Sequence, residues 1–135
     1  MTFVIAEAGV NHGGDIGQAI LLCNAAKDSG ADAVKFQHFH NLRPEIAHLE
    51  LSDADMTAIA LHCFAIGIEF MCTPFGVPQV EFLAPLVKRM KVASGCLANE
   101  PLLRAVAATG LPVVLSTGMN NIEGVDAALK VLGHR

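Results

Sequence analysis

The sequence predicts an α/β fold of parallel (βα) units, of the TIM-barrel type but incomplete, with about five of the eight units of a closed barrel. Short apolar segments alternate with amphipathic segments of helical length along the whole chain. A polar or glycine-rich cluster follows each apolar segment, whereas the turns from each helical segment to the next apolar segment are short. Hydrophobic residues make up 53% of the 135 residues and charged residues 16%, a balance that supplies a core and excludes disorder.

The apolar segments are short and bounded by turn residues, which is typical of buried parallel strands. The predicted strands are residues 3–6, 33–36, 68–72, 89–93 and 113–116. The segments between them have apolar residues at helical spacing, and the predicted helices are residues 16–29, 52–66, 78–87, 101–109 and 122–132.

Capping signals support the helix boundaries. Ser52 precedes two acids in the first turn of the second helix, as expected of an N-cap residue. Pro101 stands in the first turn of the fourth helix, where proline is tolerated. Gly30, Gly67 and Gly133 follow the first, second and fifth helices, where a terminal glycine is expected.

The distribution of polar residues favours a barrel over an open sheet. Every predicted strand ends in a polar or glycine-rich cluster, which is the pattern of a (βα) barrel. An open sheet instead concentrates its functional residues at one switch point. No G-x-G-x-x-G or Walker-A string occurs. Because a closed barrel needs eight strands, three alternatives remain: the chain is a fragment, it associates with itself or a partner, or its sheet stays open.

Composition argues against several classes of function. A net charge of −4 gives no expectation of a broad basic face for nucleic acid. The longest uncharged stretch, residues 105–122, contains proline and glycines and does not resemble a membrane span. No signal peptide is predicted. The four cysteines form no CxxC pair, so we expect reduced thiols and a cytoplasmic protein.

Two lysines within apolar strands indicate an anion site. Lys35 and Gln37 share one face of the second strand, and Lys91 lies at the same depth in the fourth. Burial of a lysine ammonium group in such a strand costs free energy unless an anion pairs with it. Hydroxyl groups at equivalent strand ends complete a candidate cradle: Thr73, Ser94, Ser116 and Thr117. The alternative on these grounds is that the lysines form structural ion pairs with Glu7 and Glu69.

The remaining candidates have mostly structural interpretations. Glu7 is the inward acid of the first strand and a candidate base, with a salt bridge to Lys35 as the commoner alternative. His12 is expected to make a hydrogen bond within its loop. For the three histidines near the second strand a solvated loop is favoured over a metal site, because no acid stands at ligand spacing: His38, His40 and His48. Cys96 is expected to be an inert thiol.

Five ordered motifs resemble those of the sialic-acid-synthase family, which includes N-acetylneuraminate, legionaminate, pseudaminate and spore-coat polysaccharide synthases. The motifs are IAEAGVNHGG at 5–14, GADAVKFQ at 30–37, TPF at 73–75, KVASG at 91–95 and LSTGM at 115–119. Together they span nearly the whole chain. The resemblance is therefore much more specific than any single motif.

The resemblance implies a transferase of carbohydrate biosynthesis that condenses phosphoenolpyruvate with an N-acetylated aldose. A 2-keto sugar acid forms and phosphate is released. By family analogy Gln37 faces the metal or the sugar, and Glu7 assists the attacking water, so both have catalytic roles. Five residues would hold the phosphate and carboxylate of phosphoenolpyruvate: Lys35, Thr73, Lys91, Ser94 and Ser116.

Three departures from the family pattern bear on activity. Cys96 stands where the family usually has glutamate, and the segment from Phe39 to Leu51 is shorter than usual. The resemblance also implies Mn²⁺ or Mg²⁺, with ligand histidines on later strands, and a C-terminal antifreeze-like domain. We expect residues 1–135 to be the N-terminal portion of the barrel, without those histidines or that domain.

Two functional expectations follow. The chain alone should have little synthase activity, since the metal that polarises the aldehyde would have no ligands. The exposed sheet edges predict a homo-oligomer or association with another chain. The alternative to a synthase is a vestigial, non-catalytic half-barrel from a truncated or split gene that retains only an anion site.

Overall fold

The computed structural model describes residues 2–133, in which strands and helices alternate. The strands are β1 (Ile5–Gly9), β2 (Ala33–His38), β3 (Glu69–Pro74), β4 (Met90–Val92) and β5 (Val113–Leu115). The α-helices are α1 (Ile16–Asp28), α2 (Asp53–Ile66), α3 (Val77–Leu83), α4 (Glu100–Ala108) and α5 (Ile122–Leu132). Two short 3₁₀ helices cover Pro44–Leu49 and Ser94–Cys96.

All recorded strand pairs are parallel, which confirms the predicted α/β class. One ladder has the order β1-β2-β3, and β4 pairs with β5 in a second ladder. Contacts between β3 and β4 show that the two ladders lie side by side. Arg89, just before β4, also binds Glu69 of β3, with 2.7 Å between Nε and Oε1. The five described (βα) units therefore follow one another in chain order, as they do in a barrel.

A continuous apolar core lies between the strands and the helices. Its largest fully buried side chains come from strands and helices alike and include Phe36, Met56, Ile59, Leu83, Met90, Leu102, Leu103 and Leu132. Helices α1 and α2 pack together at Cys23 and Cys63, whose sulfur atoms are 3.5 Å apart. None of the described helices is long and apolar enough to cross a membrane.

The predicted helix boundaries of α2 and α5 agree with the structure. A capping box at α2 joins Ser52 and Asp55, and Gly67 ends that helix in the left-handed conformation with φ +72°. Helix α3 is shorter than predicted, since it ends at Leu83 rather than near residue 87. Pro85 explains the difference, because proline has no backbone N–H to donate to the carbonyl oxygen four residues earlier.

The first strand also differs from its prediction, which placed it at residues 3–6. Strand β1 begins at Ile5 and continues to Gly9, because its ladder with β2 extends beyond the apolar run. Glu7, which directly follows the predicted apolar run, pairs in register with Lys35. The 3₁₀ helix at 44–49 was not predicted either. It has Pro44 at its first position.

Candidate anion-binding site

The C-terminal ends of the strands open on one cavity of about 400 Å³. We call it the anion cavity. The sequence suggested eight residues for the site. Thr117 does not line the cavity, and the other seven do: Glu7, Lys35, Gln37, Thr73, Lys91, Ser94 and Ser116. Five further residues complete it: Gly9, Val10, Asn11, Phe75 and Ala93. Sequence reasoning missed these five, although each lies within a few positions of a polar residue at a strand end.

Strand alternation explains how β2 supplies two of these side chains. Lys35 and Gln37 are two positions apart and therefore lie on the same face of β2. In the ladder with β3, Gln37 is opposite Thr73. The parallel register thus brings polar groups from neighbouring strands to the same depth in the cavity.

Lys35 has an acidic partner within the cavity. Its ammonium group forms an ion pair with the Glu7 carboxylate, from the opposing position of β1. The Lys35 side chain is 12% exposed and that of Glu7 is 52% exposed, so the acid lies at the mouth and the lysine deeper. The ion-pair alternative is therefore correct for Lys35.

Lys91 differs from Lys35 because it has no carboxylate partner among residues 2–133. It is only 9% exposed, and its Nζ donates a 2.6 Å hydrogen bond to the carbonyl oxygen of Val92. The predicted alternative partner, Glu69, binds Arg89 instead. Burial, and secondly repulsion from Lys35, lower the pKa of Lys91. The ion-pair alternative is therefore wrong for Lys91, which is a buried cation without a full countercharge.

Gly9 keeps the mouth of the cavity open. It has φ +55° and follows a shift in the register between β1 and β2, at a bulge after Glu7. A Cβ atom at Gly9 would lie 3.3 Å from Oε1 of Glu7 and 3.7 Å from Nε2 of Gln37. A side chain here would therefore crowd the two polar groups and strain the backbone.

The divalent cation that the resemblance implies does not fit the residues of the anion cavity. Its lining contains a single carboxylate, Glu7, which is paired with Lys35, and it contains no histidine. Mn²⁺ and Mg²⁺ require oxygen or imidazole ligands without competing ammonium groups. No step of the chemistry proposed below passes through such an ion.

A histidine cluster outside the anion cavity corrects the prediction for this region. We use that name for His38, His40 and Asp53, whose potential ligand atoms all lie within 4.8 Å of one another. Nε2 of His38 is 2.8 Å and Nε2 of His40 is 2.9 Å from Oδ1 of Asp53. The expectation of a solvated loop is therefore wrong for His38 and His40. The expectation that this chain has no histidines placed to bind a metal is wrong as well.

The missing acid comes from a different element, which is why spacing did not reveal it. Asp53 is the first residue of α2, and the intervening 3₁₀ helix brings it back against the end of β2. His38 is buried, and burial is the main cause that lowers its pKa. The hydrogen bond from His40, and then that from His38, lowers the pKa of Asp53. His48 is exposed and is not part of the group.

Two other residues have the structural environments expected of them. Nδ1 of His12 accepts a 3.0 Å hydrogen bond from the backbone N–H of Gly14, so His12 stabilises its own loop. Burial raises the pKa of the half-buried Cys96 thiol, although Lys91 partly opposes this shift. A protonated thiol is a poor nucleophile, which favours an inert role for Cys96.

Comparison with known proteins connects this geometry to a family. The chain is 41% identical to N,N'-diacetyllegionaminic acid synthase of Legionella pneumophila, over 94% of this chain and 42% of that protein. It superposes on the crystal structure of N-acetylneuraminic acid synthetase from Leptospira borgpetersenii with a TM-score of 0.91 at 32% identity. That match covers 98% of this chain and 50% of the other.

A more distant likeness concerns the fold alone. A truncated 3-deoxy-D-arabino-heptulosonate 7-phosphate synthase from Thermotoga maritima superposes with a TM-score of 0.77 at 14% identity, over 98% of this chain and 47% of that one. The chain thus spans half or less of the length of each relative. The model of the NeuB family matches residues 41–135, which is more than half of the sequence. This chain therefore belongs to the NeuB family.

Proposed function

We propose that this chain provides the phosphoenolpyruvate-binding portion of a synthase that condenses phosphoenolpyruvate with an N-acetylated aldose. One observation carries the proposal: Lys91 is buried at the anion cavity and has no carboxylate partner within residues 2–133. A buried ammonium group is costly unless an anion compensates it. The names of the relatives, which include synthases of legionaminic acid and N-acetylneuraminic acid, support this class of reaction.

The polar groups of the anion cavity match the charge of phosphoenolpyruvate, which has a carboxylate and a phosphate. Lys91 and Lys35 would each offer an ammonium group to these anions. Hydroxyl groups from three different strand ends would donate further charge-assisted hydrogen bonds: Thr73, Ser94 and Ser116. Donors held by separate strands are already in place before the substrate binds, so they need little reorganisation.

The proposed reaction forms a carbon–carbon bond and a carbon–oxygen bond to water, and it breaks the carbon–oxygen bond to phosphate. C3 of phosphoenolpyruvate attacks the aldehyde carbon of the open-chain sugar, and the aldehyde oxygen becomes a hydroxyl. Water adds at C2, phosphate leaves from C2, and a keto group remains. Glu7, at the mouth of the cavity, would accept the proton of the water, and Gln37 would orient the sugar.

We further propose that residues 1–135 correspond to the N-terminal portion of the synthase barrel and act in the cytoplasm. The four unpaired cysteines support a reducing compartment. Within the described residues, β1 pairs only with β2, and β5 pairs only with β4. These free edges support association with a second copy or with other barrel strands. The molecules that bind in the anion cavity would be small.

Calorimetric titration with phosphoenolpyruvate tests the site. We expect Lys91→Ala to weaken binding at least tenfold, because a hydrogen bond to a charged group contributes about 1.5–3 kcal/mol. Lys88→Ala is the matched control, since Lys88 is an exposed lysine outside the anion cavity. Unchanged affinity in Lys91→Ala, or an equal loss in both variants, would refute the proposed site.

Phosphate release tests the reaction itself. Purified chain would be incubated with phosphoenolpyruvate, N-acetylmannosamine and Mn²⁺, with a Lys91→Ala sample in parallel. Release that requires both substrates and Lys91 would support the synthase. Binding without release is expected of the chain alone and is shared with the alternative of an anion-binding module without catalysis. Release at ordinary synthase rates would contradict the expected inactivity.

A further inference from the structure

The histidine cluster lies on the opposite face of β2 from the anion cavity. Lys35 and Gln37 line that cavity, whereas His38 is one position further along the strand and therefore projects to the other side. There its ring lies 5.2 Å from that of Phe82 in α3, centroid to centroid. The cluster thus belongs to the layer between sheet and helices, and the proposed substrate site does not use it.

The two histidines of the cluster share one acceptor, an oxygen of Asp53. Nε2 of His38 and Nε2 of His40 both approach the same oxygen of Asp53, at 2.8 and 2.9 Å. A carboxylate oxygen only accepts, so both imidazole nitrogens must carry hydrogens there. A cation that binds both Nε2 lone pairs and Oδ1 would replace the two hydrogens. The buried Nδ1 of His38 has no partner among residues 2–133, with or without such an ion.

A second carboxylate, that of Glu50, lies near the outer nitrogen of His40. Oε2 of Glu50 is 3.6 Å from Nδ1 of His40, the nitrogen that faces away from Asp53. Oε1 of Glu50 accepts a 2.6 Å hydrogen bond from the backbone N–H of Asn41, a non-glycine residue with φ +50°. Carboxylates behind a ligand histidine are a usual feature of metal sites, because they set its tautomer and orientation.

We propose that His38, His40 and Asp53 bind a zinc ion, with Glu50 as the positioning residue for His40. Two imidazoles and one carboxylate are ligands that Zn²⁺ accepts, and Mg²⁺ and Ca²⁺ prefer sites made of oxygen. His38 is buried, whereas His40 and Asp53 are exposed, so an ion can enter from solvent and keep water as its fourth ligand. The ion would join the end of β2 to the start of α2.

Zinc titration against a chromophoric chelator tests this site on the purified chain. We expect one Zn²⁺ per wild-type chain and an affinity at least tenfold lower in His40→Ala and in Asp53→Asn. Both residues are exposed, so these variants should fold, whereas the buried His38 is a poor choice. His48→Ala is the matched control, because His48 is an exposed histidine of the same segment outside the cluster. Glu50→Gln should weaken binding about tenfold, as loss of an outer carboxylate does.

Cobalt provides an independent readout of the ligands. Co²⁺ bound by two imidazoles and a carboxylate in a four-coordinate site should give strong visible absorption in the wild-type chain and in His48→Ala, but not in His40→Ala. Zinc should also raise the melting temperature of the same two proteins only, since a ligand that binds the folded state stabilises it. Absence of zinc binding in the wild type, or an equal loss in His48→Ala, would overturn the proposal.

Discussion

The two faces of β2 place polar side chains in opposite situations. On the cavity side, Lys35 and Gln37 are half-buried and line an open space about 400 Å³ in volume. On the helix side, Phe36 is fully buried and His38 is 1% exposed. One strand of six residues thus supplies a proposed substrate site and, one position away, part of the core and the histidine cluster.

The difference lies in how each face satisfies its polar groups. On the cavity face, Lys91 of the nearby β4 has no carboxylate partner among the described residues. A bound anion would therefore compensate its positive charge. The helix face instead supplies Asp53 to its histidines from α2. A buried ammonium group without a carboxylate partner is suited to an anionic ligand, whereas histidines that contact a carboxylate are suited to a cation, in line with the proposed zinc site.

The largest effect should come from Phe36→Ala on the helix face. The side chain is fully buried within the core, so we expect a loss of about 3–5 kcal/mol in the free energy of unfolding. Gln37→Ala, its neighbour on the cavity face, should change stability by less than about 0.5 kcal/mol. Urea denaturation measures both. Similar losses in the two variants would contradict the division between the faces.

Lys91→Met should affect binding and stability in opposite directions. Removal of the ammonium group should weaken phosphoenolpyruvate binding by about tenfold to a hundredfold, which is about 1.4–2.8 kcal/mol. The same change removes a buried charge without a carboxylate partner and should raise the free energy of unfolding. Calorimetry and urea denaturation on one preparation test both, and a variant that loses stability would indicate a structural lysine.

Ser52→Ala should weaken the start of α2, next to the histidine cluster. The Ser52 hydroxyl accepts a 3.1 Å hydrogen bond from the backbone N–H of Asp55, so we expect a loss of about 1 kcal/mol in the free energy of unfolding. Ser52→Asn should restore most of it, because asparagine also caps helices. Phosphoenolpyruvate affinity should be the same in both, since Ser52 is outside the anion cavity.

The smallest effect should be a decrease in stability as pH falls, part of which depends on His12. Burial lowers the pKa of His12, whose ring packs 6.1 Å from that of Phe36. The unfolded chain therefore takes up more protons than the folded chain as pH falls through about 6.5, and the free energy of unfolding decreases. Between pH 7.5 and 6.5 this involves only a fraction of a proton.

His12→Asn is the control for this pH dependence. Asparagine does not titrate, and its side-chain oxygen can accept the hydrogen bond from the N–H of Gly14 that Nδ1 of His12 accepts. Denaturation curves at the two pH values should show a smaller decrease in the variant. An equal decrease would mean that His12 does not contribute.

The sequence predicted most of the fold because its signals are local. Glycine after a helix, a serine with acids behind it, and apolar runs of strand length each act within a few residues. Where the prediction was wrong, pairing or a proline overrode the apolar pattern, as at β1 and after Leu83. The polar residues that line the anion cavity were also predictable, because parallel strands bring their C-terminal ends to the same side.

The sequence by itself thus determined the order of the elements and which polar residues meet at the strand ends. Only the tertiary structure decided their partners: Lys35 binds Glu7, Glu69 binds Arg89, and Lys91 is left without a carboxylate among the described residues. It also brought Asp53 to two histidines that precede it by 13 and 15 positions. Periodicity gives the direction of a side chain, whereas its partner depends on how separate elements pack.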